Sequence, residues 1–185
     1  MHQGHASLSS DVVQGRAANR GAYGIRKAVL TDAEIFCRIY NPYVLDTCIS
    51  FEETEVSPEE MVSRIRDVID HLPWLVLENE SGVLGYAYAS KWRTRHAYRF
   101  SVETSIYLAA HVKGQGWGRL LYEALLSALA SAGVHLAIGG VALPNAASVG
   151  LHEKLGFQKV AQFEQVGFKC GRWVDVGYWQ KVLSP

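Results

Sequence analysis

Glu103 stands in the middle of an alternating segment, Phe100 to Leu108, where glutamate is depleted. Period two puts Val102, Thr104, Ile106 and Leu108 on one face and Ser101, Glu103, Ser105 and Tyr107 on the other. On a solvated face such an acid is ordinary. Lining a cleft, its proton affinity rises through burial, and it can accept a proton near neutral pH. The segment leads into Val112-Lys113-Gly114-Gln115-Gly116-Trp117-Gly118-Arg119, a glycine-rich turn followed by helical spacing. Unpaired N–H groups at such a junction make a ready phosphate site. A Walker A loop needs Lys-Ser or Lys-Thr after its last glycine, whereas Gly118 is followed by Arg119-Leu120. A dinucleotide fingerprint needs a later acid, and His135-Leu136-Ala137-Ile138 carries none.

Two further groups carry chemistry. Asn145, Ser148 and His152 fall at i, i+3 and i+7, one polar stripe on a short helix. His152 is then either a structural histidine or an acid and thiol partner beside the turn. Upstream, Trp92-Arg93-Thr94-Arg95-His96-Ala97-Tyr98-Arg99 sets arginines beside aromatics. It reads equally as a solvated loop or as a clamp, since a guanidinium fork matches two carboxylate or phosphoryl oxygens.

The elements that must position these groups follow from patterning. A strand runs from Tyr23 through Ile25 to Ala28, and Thr31-Asp32-Ala33-Glu34 is a capping box opening a helix that Pro42 should end. Tyr43 to Thr54 is a connecting loop or a substrate wall. Ser57-Pro58-Glu59-Glu60 opens a second helix, and Trp74–Glu78 and Val83–Ser90 form a hairpin. After the glycine turn, Trp117, Leu121, Leu125 and Leu129 share a helical stripe that Gly133 stops. Val134–Leu143 is a mostly apolar central strand, Pro144-Asn145 opens the short helix, and two strands flank Lys169-Cys170-Gly171.

At 185 residues, with 49% hydrophobic and 19% charged residues, the chain suits one compact domain. Residues 1–22 lack apolar periodicity and read as a disordered tail outside a domain spanning 23–185, although Arg16 and Arg20 leave a weak targeting role open. A net charge of zero provides no field for nucleic acid or anionic membrane, and no apolar stretch is long enough to span a bilayer. Cys37, Cys48 and Cys170 are an odd, widely spaced set, which argues against a disulfide framework. The histidines show no ligand spacing, so no metal is implied, and cytoplasm is the default compartment.

Element order and motifs together resemble the GNAT superfamily of acyl-CoA N-acyltransferases. Lys113-Gly114-Gln115-Gly116-Trp117-Gly118 is similar to its Arg/Gln-x-x-Gly-x-Gly/Ala turn, with lysine at the first place. Asn145, then His152-Glu153-Lys154-Leu155-Gly156-Phe157, is similar to its Asn…Tyr-Glu-Lys-x-Gly-Phe ending, with histidine for tyrosine. Trp92-x-x-Arg95-x-Ala97-Tyr98, Val102-Glu103, Leu143-Pro144-Asn145, Leu151-His152-Glu153 and Gly167-x-Lys169-x-Gly171-x-Trp173 resemble the phosphinothricin N-acetyltransferase subgroup. His96 and Arg99 differ from some of its members.

The resemblance implies an α/β (α+β) fold, a mixed central sheet of about seven strands flanked by helices. It implies acetyl-CoA as cosubstrate, direct transfer in a ternary complex, and a homodimer. The acceptor would be the α-amino group of phosphinothricin, methionine sulfoximine or methionine sulfone. Tyr107, Leu108, Lys113, Gly114, Gln115, Gly116, Trp117, Gly118, Arg119, Asn145 and Ser148 would bind CoA, and Glu103 and His152 would be catalytic. Arg95, then Arg93, would bind the acceptor's acidic group, walled by Tyr43, Phe51, Trp92 and Tyr98. Lys169 and Trp173 divide evenly between structural and substrate roles. The rival readings are a GNAT acting on protein N-termini, lysines or polyamines, and a non-catalytic acyl-CoA-binding module. The arginine-rich segment argues against polyamines.

Overall fold

The computed structural model describes residues 13–17 and 21–183. Its elements run β1 (Val13–Ala17), β2 (Gly21–Lys27), α1 (Ala33–Asp46), α2 (Pro58–Ile69), β3 (Trp74–Asn79), β4 (Gly82–Lys91), β5 (Ser101–Leu108), α3 (Trp117–Ser131), β6 (Leu136–Leu143), α4 (Ala146–Lys154), β7 (Gln158–Lys169) and β8 (Arg172–Val182). They build one eight-stranded sheet in the order β1-β2-β3-β4-β5-β6-β8-β7. Only β5 and β6 are parallel neighbours, as the intervening helix α3 requires.

At β3 the sheet is buried on both faces. In β3, Leu75 and Leu77 join Leu121, Leu125 and Leu129 of α3. The alternate residues Trp74 and Val76 join Phe36 of α1 and Ile65 of α2. Double burial explains the nearly continuous apolar reading of this strand.

Three expectations need correction. Val13–Ala17, assigned to a tail outside the fold, pairs antiparallel with Ile25 to Gly21 of β2 and is the eighth strand. The remaining tail, residues 1–12 and 18–20, lies outside the described residues. Pro42 does not end α1, which continues to Asp46. A proline removes one intrahelical bond, and the last turn is held by other donors: Thr47 Oγ1 to the Tyr43 carbonyl at 2.7 Å and Lys169 Nζ to the Val44 carbonyl at 2.6 Å. The Thr31 capping box does not form either. The Asp32 carboxylate instead accepts from Val29 N and, across 2.7 and 2.8 Å, from the Arg26 guanidinium. At Ser57 the cap does form, with Oγ accepting from Glu60 N at 3.2 Å.

Candidate active site

Strands β5 and β6 pair only over Ser101↔Leu136, Val102↔Ala137 and Glu103↔Ile138. Beyond that they diverge, although β5 continues to Leu108 and β6 to Leu143. Ala109 N bonds Leu84 O at 2.9 Å, which fixes the ladder parity between β4 and β5. Counting back from it, the backbone groups of Ile106 and Leu108 face away from β4, into the wedge. The Leu108 carbonyl is taken by the Tyr43 hydroxyl at 2.7 Å, and its N–H makes a long 3.4 Å contact to the same oxygen.

The wedge opens toward the glycine turn. Gly114 and Gly116 have φ of 76° and 82°, a backbone region that glycine enters without penalty. Gly116 is the N-cap of α3, and no side chain caps this helix. The first intrahelical bond is Leu120 N to Gly116 O, so the amides of Gly118 and Arg119 have no carbonyl within the helix. Gly118 packs 3.3 Å from Leu108 Cδ1, measured from the Cβ it lacks, which holds the turn against the end of β5. Gln115 Nε2 bonds the His111 carbonyl at 3.0 Å, and Arg119 pairs with Glu123 at 2.8 Å. Lys113 Nζ lies 4.1 Å from the centroid of the Tyr43 ring. Beside the turn is a cavity of about 460 Å³ lined by Arg38, Tyr43, Asp46, Ala109, His111 and Lys113, among others. Tyr43, expected as an acceptor wall, stands beside Lys113 of the turn.

At the wedge apex Glu103 and His152 flank two consecutive glycines of β6. A Cβ on Gly140 would lie 3.1 Å from Glu103 Oε1; one on Gly139 would lie 2.2 Å from His152 Nε2. Successive residues of a strand face opposite ways, so the acid and the imidazole occupy opposite faces of the sheet. Burial raises the Glu103 carboxyl above its usual range, and the Arg93 charge offsets part of that shift. This is the direction a general base needs.

His152 is buried, and both its ring nitrogens are engaged. Nδ1 is 2.8 Å from the Ser148 carbonyl, which can only accept, so Nδ1 carries the proton. Nε2 is 3.0 Å from the Tyr122 hydroxyl, which is 2.6 Å from Thr104 Oγ1. Thr104 in turn reaches the Ile138 carbonyl at 3.0 Å, at the last paired position before the strands part. Burial lowers the His152 pKa, more than the Ser148 carbonyl raises it. Burial thus favours the neutral ring, whose Nε2 faces the Tyr122 hydroxyl. Asn145 caps α4, its Oδ1 accepting from Ser148 N at 3.1 Å, which leaves its amide NH₂ without a partner among the described residues.

The surroundings of Glu103 are aromatic. Tyr178 of β8 stands 3.3 Å from the Cβ that Gly140 lacks, with its ring edge-on to Trp92 at 5.7 Å. Its phenol is raised by burial and by Glu103. Arg93 covers Trp92 at 4.9 Å and is within electrostatic reach of both Glu103 and Tyr178. Tyr88, bonded to Ser105, and Tyr107, edge-on to Tyr40 at 4.7 Å, floor the same face.

Arg95 was expected to lead the clamp, but Arg93 is the arginine brought to Glu103. Arg95 and Tyr98 are exposed and make no side-chain hydrogen bond or ion pair among the described residues. Phe51 packs against Gly167 of β7 rather than at Glu103. Lys169 is structural, its ammonium bonded to the carbonyls of Val44 and Ser50. Trp173 is 60% exposed against Phe168. Sequence reasoning missed Tyr122, Thr104, Tyr178 and the Gly139-Gly140 pair. Of these only the glycines carry a signal, because glycine inside a strand marks a close approach.

A wedge in a mixed sheet, opening on an uncapped glycine turn, defines a class of acyl-carrier enzyme. The comparisons agree. Residues 25–177 match the family described as "Acetyltransferase (GNAT) domain", and the chain belongs to that family. It is 36% identical over 157 residues to a phosphinothricin N-acetyltransferase of Streptomyces viridochromogenes, covering 85% of this chain and 86% of the relative. It is 35% identical to an L-methionine sulfoximine/L-methionine sulfone acetyltransferase of Salmonella typhimurium, covering 86% and 94%. Its fold is similar to that of a GNAT phosphinothricin acetyltransferase from Sinorhizobium meliloti solved with AcCoA, at a TM-score of 0.84, 36% identity and coverage of 88% and 89%. The protein is an N-acetyltransferase.

Proposed function

We propose that this enzyme transfers an acetyl group from acetyl-CoA to the α-amine of a small glutamate-like amino acid, of the kind named for its relatives: phosphinothricin, methionine sulfoximine or methionine sulfone. The observation that carries the reading is Glu103, half-buried at the apex of the wedge with Arg93 and Tyr178 beside it.

The chain's residues divide the work. The amides of the turn from Lys113 to Arg119 hold the pyrophosphate, with Lys113 adding charge. The amides of Ile106 and Leu108 face the wedge as strand partners for the pantetheine arm, and Asn145 donates its free NH₂ to it. One of those strand amides faces the developing acyl oxyanion. Glu103 takes the proton from the substrate ammonium, directly or through a water, and its raised proton affinity suits that transfer. Arg93 holds the acceptor's acidic oxygens, with Trp92 and Tyr178 as walls.

On the thiol side the acting unit is the Tyr122–His152 pair rather than a lone imidazole. His152 Nε2 meets the Tyr122 hydroxyl, and together they fix the β6 wall next to which the thiol departs. A thiol pKa of about 8.5 makes direct protonation helpful but not required.

The exposed apolar residues Val160, Phe163, Val166, Phe168 and Trp173 of β7 and the start of β8 support a homodimer that covers part of this hairpin.

Thiol release from acetyl-CoA, measured with the three named amino acids, glutamate, a polyamine and a lysine peptide, tests the reading. Release confined to the glutamate-like set is expected. Preference for the peptide or the polyamine overturns the acceptor class.

A further inference from the structure

Two thiols meet away from the acetyl-transfer site. Cys48 follows α1 by two residues, and Cys170 lies in the turn Cys170-Gly171, flanked by the pair Lys169↔Arg172. Both turn residues are left-handed, with φ of 52° and 71°. Glycine is ordinary there; a cysteine is not. The Cys48 thiol contacts the Lys169 carbonyl at 3.9 Å, which sets it beside the turn that carries Cys170 and Arg172, both within its electrostatic reach. Cys170 is exposed and Cys48 half-buried, whereas Cys37 is buried in the α1–α2 core.

The pair is electrostatically asymmetric. The Cys170 hydrogen bond and the charges of Arg172 and Lys169 lower Cys48, while Cys48 raises Cys170. Cys48 is thus the more readily ionised of the two and Cys170 its resolving partner, an arrangement suited to oxidation. The segments carrying them are already docked: Lys169 Nζ bonds the Val44 and Ser50 carbonyls at 2.6 and 2.7 Å, and Phe51 lies on Gly167.

We propose that Cys48 and Cys170 are a peroxide-responsive dithiol that latches the loop following α1 to the β7–β8 hairpin. The Cys48 thiolate attacks one oxygen of hydrogen peroxide. The O–O bond breaks, and the departing hydroxide takes a proton to become water, leaving a sulfenic acid. The Cys170 sulfur, giving up its proton, attacks the Cys48 sulfur, and the S–O bond breaks with release of a second water. Two thiols are oxidised to one disulfide, and one peroxide is reduced to two waters. The latched loop carries Ser50 and Glu52, which bond Tyr40 at 2.7 and 3.0 Å below Tyr107. Latching therefore changes the KM for the acceptor and leaves that for acetyl-CoA alone. That consequence rests on the acceptor site proposed above; the thiol chemistry does not.

The test is a non-reducing peptide map of the native full chain after brief exposure to hydrogen peroxide. The expected result is a Cys48–Cys170 linked peptide, reversed by dithiothreitol, with Cys37 still reduced and Cys48 consumed at least about tenfold faster than Cys37. Cys170→Ser should stop the reaction at a sulfenic acid on Cys48 that dimedone traps. Equal reactivity of Cys48 and Cys37, or no linked peptide, overturns the proposal. A linked peptide with an unchanged acceptor KM overturns the latch. A failed acceptor screen sinks only the proposed function, because the peptide map needs no substrate.

Discussion

The Tyr122 hydroxyl lies 3.0 Å from His152 Nε2, at the apex of the wedge. The relationship ties α3 to α4 through the sheet edge, because Tyr122 also meets Thr104 of β5 at 2.6 Å. Tyr122→Phe keeps the ring and leaves a buried imidazole nitrogen and the Thr104 hydroxyl without their partner. A loss of about 1–3 kcal/mol in stability is expected from denaturant unfolding. A fall in kcat with little change in the KM for acetyl-CoA is expected as well. Unaltered kcat would make the pair purely structural.

His152 also sets a pH dependence of stability. Its pKa in the fold lies below the ordinary 6.5 because of burial. The unfolded chain therefore takes up the proton first, and stability falls as pH drops through the window beginning near 6.5. His152→Phe should flatten that part of the curve, which thermal melts between acidic and neutral pH can check.

Glu103→Gln removes the base but keeps the shape. A loss in kcat of about 10²–10⁴-fold is expected. In the native enzyme kcat/KM should decline as pH falls through a pKa above the usual carboxylate range, since burial raises it. The variant should lack that limb. A full rate with the same profile would assign the base elsewhere.

The arginines separate by position. Arg93→Ala should raise the acceptor KM by about tenfold or more, the worth of a hydrogen bond to a charged group. Arg95→Ala, which is exposed and makes no ion pair, should leave it nearly unchanged. Steady-state kinetics on the pair decides, and the reverse order would restore the arginine favoured by the sequence motif.

Gly139 lacks a side chain because His152 fills the space: an added Cβ would lie 2.2 Å from Nε2. Gly139→Ala should cost about 1–3 kcal/mol through overpacking. It should also disturb the imidazole signal in NMR spectra, whereas Gly150→Ala, with open space around it, should not.

Much of this was legible beforehand, for identifiable reasons. Glu103 declared itself because an acid in mid-strand breaks the pattern of its face, and the glycine turn because its spacing is local. Asn145 to His152 lies on one helix, so its stripe could be counted. Tyr122 and Tyr178 could not be found in that way. Each occupies an apolar-looking position in its element and becomes polar only through partners 18 or more residues away. The order of Arg93 and Arg95 depended on how an irregular segment folds back, which periodicity does not encode. Pro42 misled because a local rule was overridden by donors from Thr47 and from Lys169, 125 residues beyond the Val44 carbonyl it caps. The strand Val13–Ala17 has too weak a pattern to stand out, and pairing with β2 is what defines it.

The three-residue pairing of β5 with β6 leaves the sheet unfinished. Five strands on one side and three on the other share a short seam, and the amides of Ile106 and Leu108 point across the gap. An amide-bearing arm laid there behaves as a missing strand, so under the proposed function the cosubstrate is also mortar. Occupancy at a hundredfold excess over Kd would add about 2.7 kcal/mol to the fold by mass action. An enzyme built this way couples its lifetime to its supply of acyl donor: starved of it, the two halves of the sheet are joined least firmly where the chemistry takes place.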